Sequence, residues 1–159
     1  MTREQFISQV ESTQKAFRRF LVALCCGDSL LADDIAQEAY IKAYLSIDGL
    51  SDTSKFKSWI YRIGYNTFLN QKRSEKIFVD YNEAANMTSH ESTDSAFKYQ
   101  ELYSALQKLP GKERTSILLY YIENYSIKEI AEIVDVSQDA VKQDLSRGRA
   151  HLRGLLNNE

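Results

Sequence analysis

The chain has 159 residues and a formal net charge of −2, from 20 Lys and Arg against 22 Asp and Glu. That length holds one ordinary domain or two small ones, and the near-neutral total excludes a protein that grips a polyanion through overall basicity alone. A single Pro and the scarcity of alternating apolar runs point to a mostly helical globular fold.

Residues 3 to 26 place Phe6, Val10, Phe17, Leu21 and Leu24 at three- and four-residue steps, the spacing of an amphipathic helix that Gly27 ends. The adjacent Cys25 and Cys26 make poor disulfide partners, and no second pair is present to complete a metal site. They read as small apolar residues in a reducing compartment. Neither a signal-peptide pattern nor a membrane-length apolar run is expected, so the chain reads as soluble and cytoplasmic.

Asp28 or Ser29 is the expected cap of a second helix reaching about Ile47, with Leu31, Ile35, Ala39 and Leu45 inward. Asp34, Gln37, Glu38, Ile41 and Lys42 share another face. Ile41 among polar residues makes a mixed patch suited to a protein partner. A polar loop over Gly49–Ser54 leads into Lys55–Arg73. There Phe56, Trp59, Ile60, Ile63 and Phe68 want a core, while Lys55, Lys57, Arg62, Lys72 and Arg73, with Asn66 and Asn70, fall mostly on the remaining surface. Cations neutralise phosphate, amides read base edges and rings stack on unpaired bases, so this helix suits nucleic acid. The plainer reading is a core helix with a basic outer face.

Residues 1–74 therefore read as a three-helix domain. Residues 75–95 lose periodicity and become polar and acidic, the composition of a linker. Residues 96–159 form a second domain. Its stripe of Phe97, Leu102, Leu106 and Leu109 is broken by Pro110-Gly111 and restarts with Ile117, Leu118, Tyr121 and Ile122 inward. Ser126-Ile127-Lys128-Glu129 reads as a capping box. Asp135 sits at a tight turn where Asp tolerates the left-handed region, and Ser137 caps the last helix. Val141, Leu145, Gly148, Leu152 and Leu155 face inward along it. A short helix, a tight turn and a longer capped helix make a helix-turn-helix, whose second helix offers Gln138, Asp139, Lys142, Gln143, Ser146, Arg147 and Arg149 to a major groove. Gln reads adenine, Arg reads guanine, and either basic residue holds phosphate.

Three stretches then resemble bacterial sigma factors. Leu31-Ala32-Asp33-Asp34-Ile35-Ala36-Gln37-Glu38-Ala39-Tyr40-Ile41-Lys42 resembles the region-two helix. Phe56-Lys57-Ser58-Trp59-Ile60-Tyr61-Arg62-Ile63, followed by Asn66 and Asn70, resembles the melting helix. Leu109-Pro110, Arg114, Tyr125 to Ile133 and Val141-Lys142 resemble region four. The short length is similar to the extracytoplasmic-function (ECF) group of the sigma-70 family, which keeps only regions two and four.

The resemblance implies an all-α fold of two small helical domains and a non-enzymatic role that needs no cofactor or metal. It implies an RNA polymerase sigma factor that binds core polymerase and directs promoter-specific initiation. Asp34, Gln37, Glu38, Ile41 and Lys42 would bind the largest core subunits. The Ser46–Ser54 loop and Lys55, Lys57, Trp59, Arg62, Asn66, Asn70, Lys72 and Arg73 would engage a melted minus-ten strand. Arg114, Ser137, Gln138, Lys142, Gln143, Ser146, Arg147 and Arg149 would read the minus-thirty-five duplex. An anti-sigma factor is a possible partner, and a compact free form with the two domains resting on each other is expected.

One departure is Gln143-Asp144, where relatives often carry Ser-Arg. Asp144 would repel phosphate or accept from a cytosine amino group. An enzyme is disfavoured, because His90 and His151 lie far apart and no phosphate loop or nucleophile motif is present. The serious rival is a dimeric helix-turn-helix regulator that binds duplex DNA without polymerase. It leaves the first domain without a role.

Overall fold

The computed structural model describes residues 1–81 and 100–156. The expected linker lies outside those residues from position 82 onward, as do Phe97 and His90. All the regular elements described are helical.

Helix α1 (Arg3–Leu24) starts at a capping box. Thr2 accepts from the Gln5 amide at 3.1 Å, and the Thr2 amide donates back to Gln5 Oε1 at 2.8 Å. It ends where Cys26 (φ 55°) and Gly27 (φ 95°) turn left-handed, letting the Gly27 amide reach the Val22 carbonyl at 2.9 Å. Asp28 then caps α2 (Ser29–Leu45), accepting from the Leu31 amide.

The buried seam of α2 is Ala32, Ile35, Ala39 and Ala43. Three alanines let neighbouring helices approach closely. Leu45, expected inward, is instead 78% exposed, because the seam at 32, 35, 39 and 43 places position 45 on the far side. After 3₁₀ turns at Ile47–Gly49 and Thr53–Lys55, α3 spans Phe56–Tyr81, beyond the Arg73 end that periodicity suggested. Phe17, Phe20, Leu21, Leu24, Phe56, Ile60 and Tyr61 close the first core.

The second half holds α4 (Gln100–Lys108), α5 (Gly111–Ile117), α6 (Ile127–Val134) and α7 (Gln138–Leu156). Pro110 lacks an N–H and ends α4 while opening α5. A π turn over Leu118–Ile122 follows α5, with the Glu123 amide reaching the Leu118 carbonyl at 3.1 Å. Its extra residue rotates the apolar stripe. Tyr121 and Ile122 come out exposed where an uninterrupted helix would bury them, and Glu123 turns inward to 5% exposure. Leu102 is also partly exposed. Leu106, Leu119, Ile130, Ile133, Val141 and Leu145 form the second core, and His151 ties α7 to Glu113 of α5 at 2.6 Å. The two halves touch, α3 packing on α6 and α1 on the π turn.

Candidate nucleic-acid and protein interfaces

On α2, Ile41 is 61% exposed and Leu45, four residues on, extends the same apolar strip. The polar residues beside it are held from α3. Gln71 Nε2 donates to Asp34 Oδ2 at 3.2 Å and to Glu38 Oε2 at 3.3 Å. Lys42 Nζ donates to Thr67 Oγ1 at 3.3 Å and lies 3.9 Å from Glu38. Asp34, Gln37, Glu38, Ile41 and Lys42 thus form a pre-ordered, partly apolar face. Leu45 was missed by sequence reading, although its i+4 spacing from Ile41 was available as a signal.

Lys55, at the end of the 3₁₀ turn before α3, and Lys57, Arg62, Asn66, Asn70, Lys72 and Arg73 on α3 are exposed, and Trp59 is half-buried with its ring 5.9 Å from Phe56. The loop before it is braced by Asp52, which accepts from the Ser54 hydroxyl at 2.7 Å and the Ser54 amide at 3.0 Å. Those bonds hold its carboxyl below the usual carboxylate range. The cations do not all face water. Lys57 Nζ sits 5.5 Å over the Tyr125 ring. Arg62 Nη1 donates to the Glu132 carbonyl at 3.1 Å, and Nη2 lies 3.8 Å from Asp135 Oδ2.

The helix-turn-helix forms from local rules. Ser126 and Glu129 make the reciprocal capping box at 3.1 and 3.0 Å. Asp135 takes the left-handed conformation (φ 58°, ψ 53°), and Ser137 Oγ accepts from the Ala140 amide at 3.1 Å. Along α7, Gln138, Lys142, Gln143, Ser146, Arg147 and Arg149 are exposed. Arg149 donates to the Tyr121 hydroxyl at 3.1 Å.

Sequence comparison agrees with this arrangement. The family pattern of sigma-70 region 2 matches residues 9–77, and that of sigma-70 region 4 matches residues 99–152. The ECF RNA polymerase sigma factor SigW of Bacillus subtilis is 37% identical, the alignment covering 79% of this chain and 75% of SigW. This chain is an ECF sigma factor of the sigma-70 family. SigM of Bacillus subtilis is 28% identical, covering 87% of each chain. The sigma factor RpoE of Bartonella quintana, solved in complex with the anti-sigma factor NepR, superposes with a TM-score of 0.83 at 25% identity, over 97% of this chain and 98% of that one. CnrH, solved with the cytosolic domain of CnrY, shares the fold with a TM-score of 0.77.

Two residues of this sigma factor's second domain have surroundings that no local sequence pattern announces. Arg114 is engaged by backbone carbonyls. Its guanidinium donates to the carbonyls of Leu106 (2.9 Å), Leu109 (3.2 Å), Gln107 (3.4 Å) and, across the domains, Leu24 (3.1 Å). It satisfies the orphan carbonyls at the end of α4. Asp144 is half-buried. Desolvation raises its pKa, Lys112 opposes that shift, and Asp144 in turn helps to raise the pKa of Tyr65 on α3.

Sequence reading also missed the most buried ionic contact among the described residues. Glu123, its side chain fully enclosed, accepts from the Tyr61 hydroxyl at 2.6 Å and from Arg19 Nε and Nη2 at 3.0 and 3.2 Å. Burial first, then this hydrogen bond, pushes the Tyr61 hydroxyl well above the ordinary phenol range. No local pattern around Glu123 announces partners 62 and 104 residues away.

Proposed function

We propose the following division of labour within this sigma factor. Residues 1–74 bind core polymerase and the melted minus-ten strand, residues 75–95, of which those up to Tyr81 continue α3, link the domains, and residues 96–159 read the minus-thirty-five duplex. Asp34, Gln37, Glu38, Ile41 and Lys42, extended by Leu45, meet the largest core subunits. Lys55, Lys57, Trp59, Arg62, Asn66, Asn70, Lys72 and Arg73 engage the single strand, with cations on phosphate and the half-buried Trp59 as a stacking platform. Ser137, Gln138, Lys142, Gln143, Ser146, Arg147 and Arg149 meet the duplex, while Arg114 is reassigned to holding α4. The protein acts in the cytoplasm, catalyses no reaction itself, and is a candidate for control by an anti-sigma factor.

The observation that carries this reading is the set of exposed amide, ammonium, hydroxyl and guanidinium groups along α7, which begins just after the Ser137 cap. Run-off transcription on a genomic fragment library, with purified bacterial core polymerase, tests it. Discrete start sites that require both core and this protein are expected. Promoter-independent initiation, or sequence-specific binding of duplex as a dimer without core, would favour the helix-turn-helix regulator.

A further inference from the structure

We infer that Glu123 is the latch of an autoinhibited closed state, in which the second domain covers part of the DNA-facing surface of α3. The inference rests on the assignment of α3 to the melted strand. Two of the cations assigned there, Lys57 and Arg62, are engaged by the helix-turn-helix domain, Lys57 over the Tyr125 ring and Arg62 by the Glu132 carbonyl and Asp135. The closed state and promoter engagement exclude each other on distance alone. Elements centred about 25 base pairs apart lie roughly 80 Å apart on duplex DNA, at about 34 Å per helical turn. In the closed form Arg62 is 3.8 Å from Asp135, which lies three residues before the recognition helix. The domains must separate before both elements can be read.

Glu123 would lose its enclosure and both partners on separation. Closed, its carboxylate is enclosed and relies on the Arg19 fork and the Tyr61 hydroxyl. Open, it is free to meet water. Removing one partner leaves a buried charge undercompensated only in the closed state, so the loss shifts the balance toward opening. Tyr103 against Gly27 and Arg114 on the Leu24 carbonyl add contacts across the same seam. They are packing and neutral-acceptor contacts, and neither carries the penalty that makes Glu123 a switch.

Three full-length variants test the latch. Tyr61→Phe keeps the ring and removes the donor. Glu123→Gln keeps the shape and removes the charge. Arg19→Gln alters a side chain that is 57% exposed, so it is the variant least able to disturb the core. Each is measured by small-angle scattering and by fluorescence-anisotropy titration with a labelled single-stranded oligothymidine, after circular dichroism shows retained helicity.

The expected result is a larger radius of gyration and about 3- to 10-fold tighter oligothymidine binding for Tyr61→Phe and Arg19→Gln, which leave the Glu123 charge undercompensated, and a smaller change for Glu123→Gln, which removes that charge, because apparent affinity scales with the competent fraction. The charge changes discriminate. Arg19→Gln removes a cation and should still bind more tightly, which simple electrostatics forbids. An unchanged radius of gyration in all three overturns the latch. An increased radius with unchanged oligothymidine affinity overturns the autoinhibition. Scattering uses neither DNA nor polymerase, so the latch fails separately from the assignment of α3 to DNA.

Discussion

A Cβ added to Gly64 would fall 2.6 Å from two ring carbons of Phe17. Phe17 is fully buried and packs edge-on to Tyr40 (5.6 Å between centroids) and tilted against Tyr61 (5.3 Å), so its ring has nowhere to swing. Gly64 is therefore the point of close approach between α3 and α1. Gly64→Ala should destabilise the protein despite its better helix propensity. Overpacking costs about 1–3 kcal/mol, against a propensity gain of up to ~1 kcal/mol. A thermal midpoint lowered by about 2–6 °C is expected in circular dichroism, and an unchanged or higher midpoint would show that α1 can yield at this contact.

The α2 face gives a binding test with little folding cost, since Ile41 is exposed and Glu38 only partly covered. Glu38→Ala with Ile41→Ala should weaken core polymerase binding by about 1–3 kcal/mol, or roughly 5- to 150-fold. Leu45→Ser alone should cost less. Equal affinity of wild type and double variant, by fluorescence titration with labelled core, would remove this face from the interface.

On α7, Arg147 and Lys142 should separate by mechanism. Arg147→Ala is expected to cost about 1–3 kcal/mol at one base pair of the upstream element and to relax specificity there. Lys142→Ala should weaken all sequences alike and lower the salt slope by about one unit. Footprints of holoenzyme on promoter variants distinguish the two. A sequence-independent loss for Arg147→Ala would make it a phosphate contact.

Alkaline pH should destabilise the fold. Burial pushes the Cys25 thiol up to about 12 and raises the hydroxyls of Tyr61, Tyr125, Tyr65 and Tyr40. In the unfolded chain these groups ionise near about 8.5 and 10. The folded state then holds more protons than the unfolded one, so the stability is fully present below the unfolded values and is lost as pH rises from them toward the folded ones. Each group adds a slope of up to ~1.4 kcal/mol per pH unit. Urea midpoints should be level from about pH 7 to 8, fall above about 9, and fall more steeply above about 10. Cys25→Ala should flatten the first part of that fall. A level curve to pH 10.5 would show that these groups reach water in the folded protein.

What the sequence determined by itself is what short-range bonds decide. Ser126 with Glu129, Ser137 with the Ala140 amide, and Asp28 with the Leu31 amide all pair across three residues, so a reader of the chain sees both partners together. The left-handed Asp135 and the exposed row on α7 follow from the same local logic. Tertiary structure decided whatever depended on a partner far along the chain or on an irregular turn. The π turn exposed Tyr121 and Ile122 and turned Glu123 inward, and composition does not encode one extra backbone residue per turn. Glu123 then met Tyr61 and Arg19, Arg62 met Glu132, and Arg114 met Leu24, at separations of 62 to 104 residues. A charged side chain reads the same in sequence whether it faces DNA, caps a carbonyl or closes a domain seam. Only the packing of α3 on α6, and of α1 on the π turn, chose among these fates.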